Sequence, residues 1–339
     1  MLRSTRRPTQ ADVARLAGVS QALVSQVLNN ATMVSVPAGT KQRVLAAAER
    51  LGYVTNRAAR SLRTQKSSTI AYVIPDITNP FYPEFVRGIE ERADASGYDL
   101  VTYSTRNMEE KELRALDAVQ QGQVDGVIGV FFHVSAQRLK PLIDRGIAVV
   151  RFEPSPRCVD DFPLDCVYVN NLEAARTIVG YLVERGHRRI AMITGRSGPR
   201  RDRFLGYRRG LRDHGLDADR ALVRYGDFRA GGGYEAMVDL LRARPLPTAT
   251  FVNNDLMAIG ALRALREAGL DVPGDMAVVG FDDIAMAALV DPGLTTIAQH
   301  PLEIGRRAAE LLLARLDGDT SPRGKCEEIP FDLVVRQSA

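Results

Sequence analysis

From residue 68 onward the chain alternates short apolar segments with amphipathic ones, and this alternation restricts it to parallel sheets covered by helices. Strands are expected at 69–74, 100–103, 126–130 and 148–152, with helices at 81–96 and 109–121. A second series follows Val167, with helices at 172–185, 203–213, 233–241 and 255–268 and strands at 190–194, 222–225, 249–252 and 277–280. Two series imply two lobes. Parallel sheets take ligands at the carboxyl ends of their strands, so facing lobes enclose a cleft. At 339 residues, 45% of them hydrophobic, the chain is long enough to bury more than one core.

The first 66 residues differ in kind. They carry 11 Lys and Arg against two acids, Asp12 and Glu49, a net +9, whereas the remainder is −5. A compact basic head on a mildly acidic body is the electrostatic footprint of a nucleic-acid-binding domain. Thr9-Gln10-Ala11-Asp12 reads as a helix start, with Thr9 capping free amides and Asp12 favouring the helix dipole. Val13, Ala14, Leu16 and Ala17 form an apolar stripe, and Gly18-Val19 makes the sharp corner. Ser20 caps a second helix with apolar Leu23, Val24, Val27 and Leu28. Its remaining residues, Gln21, Ala22, Ser25, Gln26 and Asn29, are small or hydrogen-bonding and suit base edges in a major groove. This is a helix-turn-helix. The pattern alone also fits a helical hairpin inside a core.

The surrounding residues decide between these. Asp12-Val13-Ala14-Arg15-Leu16-Ala17-Gly18-Val19-Ser20 and Val24-Ser25-Gln26-Val27-Leu28-Asn29 closely resemble the head of the LacI family. A third helix at about 38–51 ends at Gly52-Tyr53, and Asn56-Arg57-Ala58-Ala59-Arg60-Ser61-Leu62-Arg63-Thr64 resembles that family's hinge helix. The resemblance continues at Asp76-Ile77-Thr78-Asn79-Pro80-Phe81, Gly186-His187-Arg188-Arg189-Ile190-Ala191, Arg203-Phe204-Leu205-Gly206-Tyr207 and Val279-Gly280-Phe281-Asp282-Asp283. Two departures stand out. Segment 29–36 is two residues longer than usual and leads to Pro37 in place of a capping serine, and Gln26 replaces the family's usual arginine.

The resemblance implies an α + α/β fold: a helix-turn-helix DNA-binding domain at 1–55, a hinge helix and linker at 56–67, and a two-lobed periplasmic-binding-protein-like core at 68–339. The N-lobe would take about 68–166 plus 298–330 and the C-lobe about 168–295 plus 331–339. Crossovers fall near 164–170, 294–298 and 329–332, and helix 302–316 returns to the N-lobe. The implied protein is a sequence-specific transcriptional regulator, a repressor by expectation, controlled by a small-molecule effector. A sugar or sugar derivative is the leading effector class; a purine or another metabolite is the alternative. The implied DNA contacts are Thr9, Ser20, Gln21, Ala22, Ser25, Gln26, Asn29, Asn56, Ala59 and Leu62. Paired hinge helices would fold on the DNA, with Leu62 wedging a minor-groove base step. The expected partners are a near-palindromic double-stranded operator and a second copy of the chain. A homodimer is expected because residues 335–339 lack the leucine heptads of a tetramerisation tail.

Position selects the effector set. Arg203 follows the loop 195–202, and its guanidinium offers a fork to hydroxyls or a carboxylate. Asn254, Asp282 and Glu153 each end an apolar strand. By resemblance Arg203, Asn254 and Asp282 match effector-contacting positions, Glu153 matches a commonly acidic one, and Phe81 and Phe131 supply apolar walls. Helix capping is the competing role for Asn254 and Asp282.

Other classes fit less well. A two-lobed solute-binding protein would need an export signal and has no use for a basic helix-turn-helix; residues 1–7 are basic but no apolar core follows, so a cytoplasmic protein is expected. Nothing is long and apolar enough to span a membrane. No GxSxG elbow and no glycine-rich pyrophosphate turn after strand 69–74 supports an enzyme. Gly231-Gly232-Gly233 lacks P-loop spacing and reads as a flexible helix entry. The histidines have no metal-ligand spacing, and His187 reads as structural. Cys158, Cys166 and Cys326 are too scattered for a framework and are expected to be reduced. No cofactor and no metal are expected.

Overall fold

The computed structural model describes residues 8–28, 36–54, 66–153, 155, 161–196 and 198–339. Asn29, Asn56, Ala59, Leu62 and Cys158 lie outside the described residues, as does hinge segment 56–64. The chain divides into two compact units between Ser67 and Ser68.

The first unit is built on three helices, α1 (Gln10–Ala17), α2 (Gln21–Leu28) and α3 (Ala38–Leu51). Thr9 and Asp12 form a reciprocal capping box: the Thr9 amide donates to Asp12 Oδ2 at 3.0 Å, and the Asp12 amide donates to Thr9 Oγ1 at 3.4 Å. Gly18 takes the left-handed conformation (φ 65°) that the corner requires, and Ser20 Oγ accepts from the Leu23 amide at 3.2 Å. Pro37 opens α3 without a side-chain cap, as a proline at a helix start can. The core is Val13, Ala14, Ala17, Val24, Val27, Val44, Ala47 and Ala48. Leu16 and Leu45 do not join it; they stand 42% and 46% exposed, although Leu16 falls in the apolar stripe of α1.

In the second unit, β1 (Thr69–Ile74), β2 (Asp99–Ser104), β3 (Gly126–Gly129), β4 (Ala148–Glu153), β5 (Asp165–Tyr168) and β11 (Cys326–Glu328) form a parallel sheet, ordered β11-β5-β4-β3-β1-β2. A second parallel sheet, ordered β7-β6-β8-β9, uses β6 (Ile190–Thr194), β7 (Val223–Tyr225), β8 (Ala249–Val252) and β9 (Ala277–Val279). Both sheets are clad by helices: α4 (Phe81–Ala95), α5 (Glu109–Ala118), α6 (Ala136–Ile143) and α11 (Pro301–Leu316) with the first sheet, and α7 (Asn171–Glu184), α8 (Arg200–Asp213), α9 (Ala230–Leu240) and α10 (Asp255–Glu267) with the second. The chain passes from the first lobe to the second after β5, returns through β10 (Thr296–Ala298) into α11, and leaves again from β11 into β12 (Asp332–Val334). β10 and β12 pair antiparallel, so two of the crossovers are hydrogen-bonded to each other.

Backbone contact between helices closes both lobes. A Cβ on Gly88 of α4 would come within 2.9 Å of the Arg306 amide nitrogen, and one on Gly305 of α11 within 3.0 Å of the Ile89 nitrogen. The glycines at 231–233 lie in the first turn of α9, not in a flexible entry. Of the three, Gly233 serves a close approach: a Cβ on it would sit 2.6 Å from the Met257 carbonyl carbon, and one on Gly260 2.8 Å from that of Ala230. The cysteines also depart from expectation. Cys166 and Cys326 occupy paired positions of β5 and β11, Cα atoms 4.7 Å apart, and are joined as a disulfide rather than standing as reduced thiols. They are 160 residues apart in sequence, and sheet order alone makes them neighbours. His187 is held by Thr248, Nδ1 to Oγ1 at 3.0 Å.

Candidate functional site

Two surfaces answer to the candidate residues. On the first unit, α2 buries Val24 and Val27 and leaves Gln21 and Ala22 exposed, with Ser25 and Gln26 half-buried beside them. Ser20 is exposed at the helix start, and Thr9 is occupied in its cap. The helix therefore presents short polar and small apolar groups on its outer face, which fits the edges of base pairs.

On the second unit, the cleft between the lobes holds about 800 Å³ of space open at its mouth. Phe81, Phe131, Glu153, Arg203, Asn254 and Asp282 all lie on its lining, so the structure brings the whole candidate set together. It adds Phe152, Asn171, Phe228 and Gln299. The four were hidden for distinct reasons: Phe152 reads as strand core, Phe228 lies in a loop, and Asn171 and Gln299 sit just beyond crossovers, where no periodicity marks a position.

Arg203 is the polar centre. Its Nε donates to Asn171 Oδ1 at 2.6 Å and its Nη1 to the Asn253 carbonyl; its Nη2 lies 3.7 Å from Asp282 Oδ1, and the guanidinium covers the Phe281 ring. Burial drives the Arg203 pKa down to about 10 against the pull of Asp282. Gln299 Nε2 donates to Asp282 Oδ1 at 2.7 Å. Burial pushes the Asp282 carboxyl up to about 7, against the opposing effects of Arg203 and Gln299. Asp255 behind it is also raised, first by burial and then by Asp282, although Thr296 and the Ile284 amide hydrogen-bond to it at 2.6 and 2.9 Å. Asp282 and Asp283 have φ of 119° and 53°, backbone that non-glycine residues rarely adopt. The Asp282 amide donates to the Ile297 carbonyl at 2.9 Å, and Arg336 holds Asp283 Oδ1 at 2.7 Å. The strained pair is thus tied to a crossover.

The rest of the lining mixes caps and rings. Asn254 takes the capping role: it caps α10 by accepting from the Met257 amide at 3.2 Å, and from its place on the cleft lining it donates to the Phe228 carbonyl at 3.1 Å. The Phe81 ring stacks on Phe152, centroids 6.0 Å apart and planes 19° from parallel. Glu153 is buried and paired with Arg151 at 2.6 Å. Phe131 is buried two residues past the end of β3. It lies beside a loop whose Phe132, His133 and Val134 amides all donate to the buried Glu112 carboxylate at 2.9–3.0 Å. A cleft with aromatic walls and a floor of fork-shaped and amide donors beside carboxylates suits a polyhydroxylated ring.

The comparisons agree with this geometry. Residues 9–56 match the model of bacterial regulatory proteins of the lacI family, and residues 179–339 match the periplasmic binding protein-like domain. The chain is 37% identical to the ribose operon repressor of Escherichia coli K12 over 98% of its own length and 99% of that protein's. It is similar to the transcriptional regulator CelR in complex with cellobiose, at 34% identity, TM-score 0.73 and coverage of 98% and 100%. It is also similar to the lac repressor dimer bound to operator and the anti-inducer ONPF, at 29% identity, TM-score 0.84 and coverage of 98% and 99%. With the head and the later part of the core matched separately, and the ribose operon repressor matched along nearly all of both chains, the protein belongs to the LacI family of bacterial regulatory proteins.

Proposed function

We propose that this chain is a sequence-specific transcriptional repressor whose operator affinity is set by a sugar or sugar derivative bound in the cleft. The observation that carries the reading is the buried Arg203–Asp282–Gln299 cluster facing a stacked Phe81–Phe152 wall. Arginine and amide donors beside carboxylates fit adjacent hydroxyls, and the rings fit the apolar face of a sugar. The Escherichia coli relative is named for the ribose operon and CelR was solved with cellobiose, which supports a sugar. Arg203, Asn254 and Asp282 hold hydroxyls, Glu153 closes the polar side, and Phe81 and Phe131 form walls.

Base edges are read by Gln21, Ala22, Ser25 and Gln26 of α2 and by Asn29, with Thr9 and Ser20 at the backbone; Asn56, Ala59 and Leu62 act from the hinge. The domains are a head at 1–55, a hinge at 56–67 and a core at 68–339, and two copies read a near-palindrome in the cytoplasm. Effector acts by binding and not by turnover. Sugar closure of the cleft shifts the crossovers, and with them the hinge, a coupling of about 1–3 kcal/mol.

The test is operator binding measured by fluorescence anisotropy on duplexes selected from a random pool, with and without a panel of sugars. A sugar that binds by calorimetry, changes operator affinity about 5- to 150-fold and is recovered unaltered supports the reading. A sugar that binds without moving operator affinity overturns it.

A further inference from the structure

One charged cluster beside the cleft has no part in the set above. Arg196, in the loop after β6, and Arg200, at the start of α8, both lie against Tyr225 at the end of β7, their guanidinium carbons 5.3 and 5.2 Å from its ring centroid. Arg200 Nη2 reaches the Tyr225 hydroxyl at 3.5 Å, while its Nε is buried without a hydrogen-bond partner. Among the described residues no carboxylate pairs with either arginine. Two like charges held against one ring repel each other, and cation–π contact with a tyrosine offsets only part of that. An anion between them would satisfy both.

The place is also right for a ligand. Pro199 caps α8 without a side-chain hydrogen bond, and the amino end of this 14-residue helix, with Asp202 in its first turn, begins at Arg200 itself. Pro199 itself lines the cleft. The loop that carries Arg196 is seated against both walls of the mouth. Gly195 lies on the Phe228 ring, and a Cβ on Gly198 would come within 2.7 Å of the Phe132 ring. The arginine pair therefore sits on the rim of the cavity and not on a remote face.

We propose that Arg196, Arg200 and the amino end of α8 form an anion subsite at the cleft mouth, which takes the phosphoryl group of a phosphorylated sugar. Arginine forks match phosphate oxygens in pairs, and Tyr225 fixes where the forks point. Attachment of the phosphoryl group to a sugar rests on the reading of the cleft as an effector site; the subsite itself does not.

The test is calorimetry on the full chain at constant ionic strength, with inorganic phosphate and with two matched pairs, ribose with ribose 5-phosphate and glucose with glucose 6-phosphate. Wild type, Arg196→Gln/Arg200→Gln and a charge-matched control, Arg209→Gln/Arg212→Gln at the far end of α8, are compared. Inorganic phosphate is expected to bind wild type and control and to weaken by about tenfold or more in the Arg196/Arg200 variant. At least one phosphorylated sugar is expected to bind wild type about tenfold more tightly than its parent, and that advantage should vanish in the same variant. No phosphate binding, or phosphate binding that the variant leaves intact, overturns the subsite. Phosphate binding with no advantage for either sugar phosphate makes free phosphate the ligand and overturns the sugar-phosphate assignment. Failure of every parent sugar to bind wild type counts against the cleft reading alone, because inorganic phosphate still reports on the subsite.

Discussion

Asp76 and Arg229 meet across the mouth of the cleft, with Arg229 Nη2 donating to Asp76 Oδ2 at 2.8 Å. Asp76 follows β1 in the first lobe and Arg229 precedes α9 in the second, so the contact exists only while the lobes are drawn together. Burial raises the Asp76 pKa, but the hydrogen bonds from Arg229 and Thr78 outweigh it and leave the carboxyl below its ordinary value. Arg229 and Thr78 thus favour the ionised form of Asp76.

That pair acts as a latch. Arg229 is 60% exposed, so solvent screens the bond and its worth is about 1 kcal/mol or less. Arg229→Gln is expected to speed effector release about two- to fivefold. Stopped-flow dissociation measures this, and an unchanged release rate would remove the latch.

The raised Asp282 carboxyl has a signature in stability. Its folded pKa of about 7 lies above the ordinary 3.8, so between those values the folded protein holds a proton that the unfolded chain has released. Its contribution therefore falls as pH rises through that window and levels off above it. Thermal melts of the ligand-free protein from pH 5 to 8 should show that decline, and Asp282→Asn should flatten much of it, Asp255 keeping the remainder. Identical slopes would show that Asp282 does not titrate there.

Gly88 and Gly305 let α4 and α11 touch through their backbones. Gly88→Ala has no room for its methyl and is expected to cost about 1–3 kcal/mol in urea unfolding. A variant as stable as wild type would mean the helices can part without loss.

Gln26 bears on operator sequence. Glutamine pairs with adenine N7 and N6, whereas arginine prefers guanine N7 and O6. Selection from random DNA with wild type and Gln26→Arg should differ at one symmetric position per half-site, shifting toward guanine by about 1–3 kcal/mol. Identical selected sites would place Gln26 off the bases.

The sequence made the architecture readable because strands and helices of this length carry their period on the surface of the text. β1, β6 and β8 are short runs flanked by amphipathic helices, and the corner at Gly18 needs a residue tolerant of positive φ. What it concealed depends on partners distant in the chain. Glu112 sits in the acidic stretch Glu109-Glu110-Lys111-Glu112, which reads as a solvated helix face, yet its carboxylate is buried under three amides. Gln299 gains its meaning only from Asp282, and Cys166 only from Cys326. Arg203, Asn254 and Asp282 were legible as a set because each stands where a strand or loop gives way at the sheet's carboxyl edge.

The return of α11 and β11 to the first sheet imposes an order on synthesis. As the chain emerges from the ribosome, residues 69–168 have neither the helix that covers α4 nor the strand that covers β5. The second lobe, apart from its final strand and tail, is made in the interval, so the earlier lobe waits with an open edge while the later one is assembled. A nascent chain halted before residue 301 would carry that unpaired edge into the cell, and chaperone capture or proteolysis of such fragments should centre on β5 and the exposed side of α4.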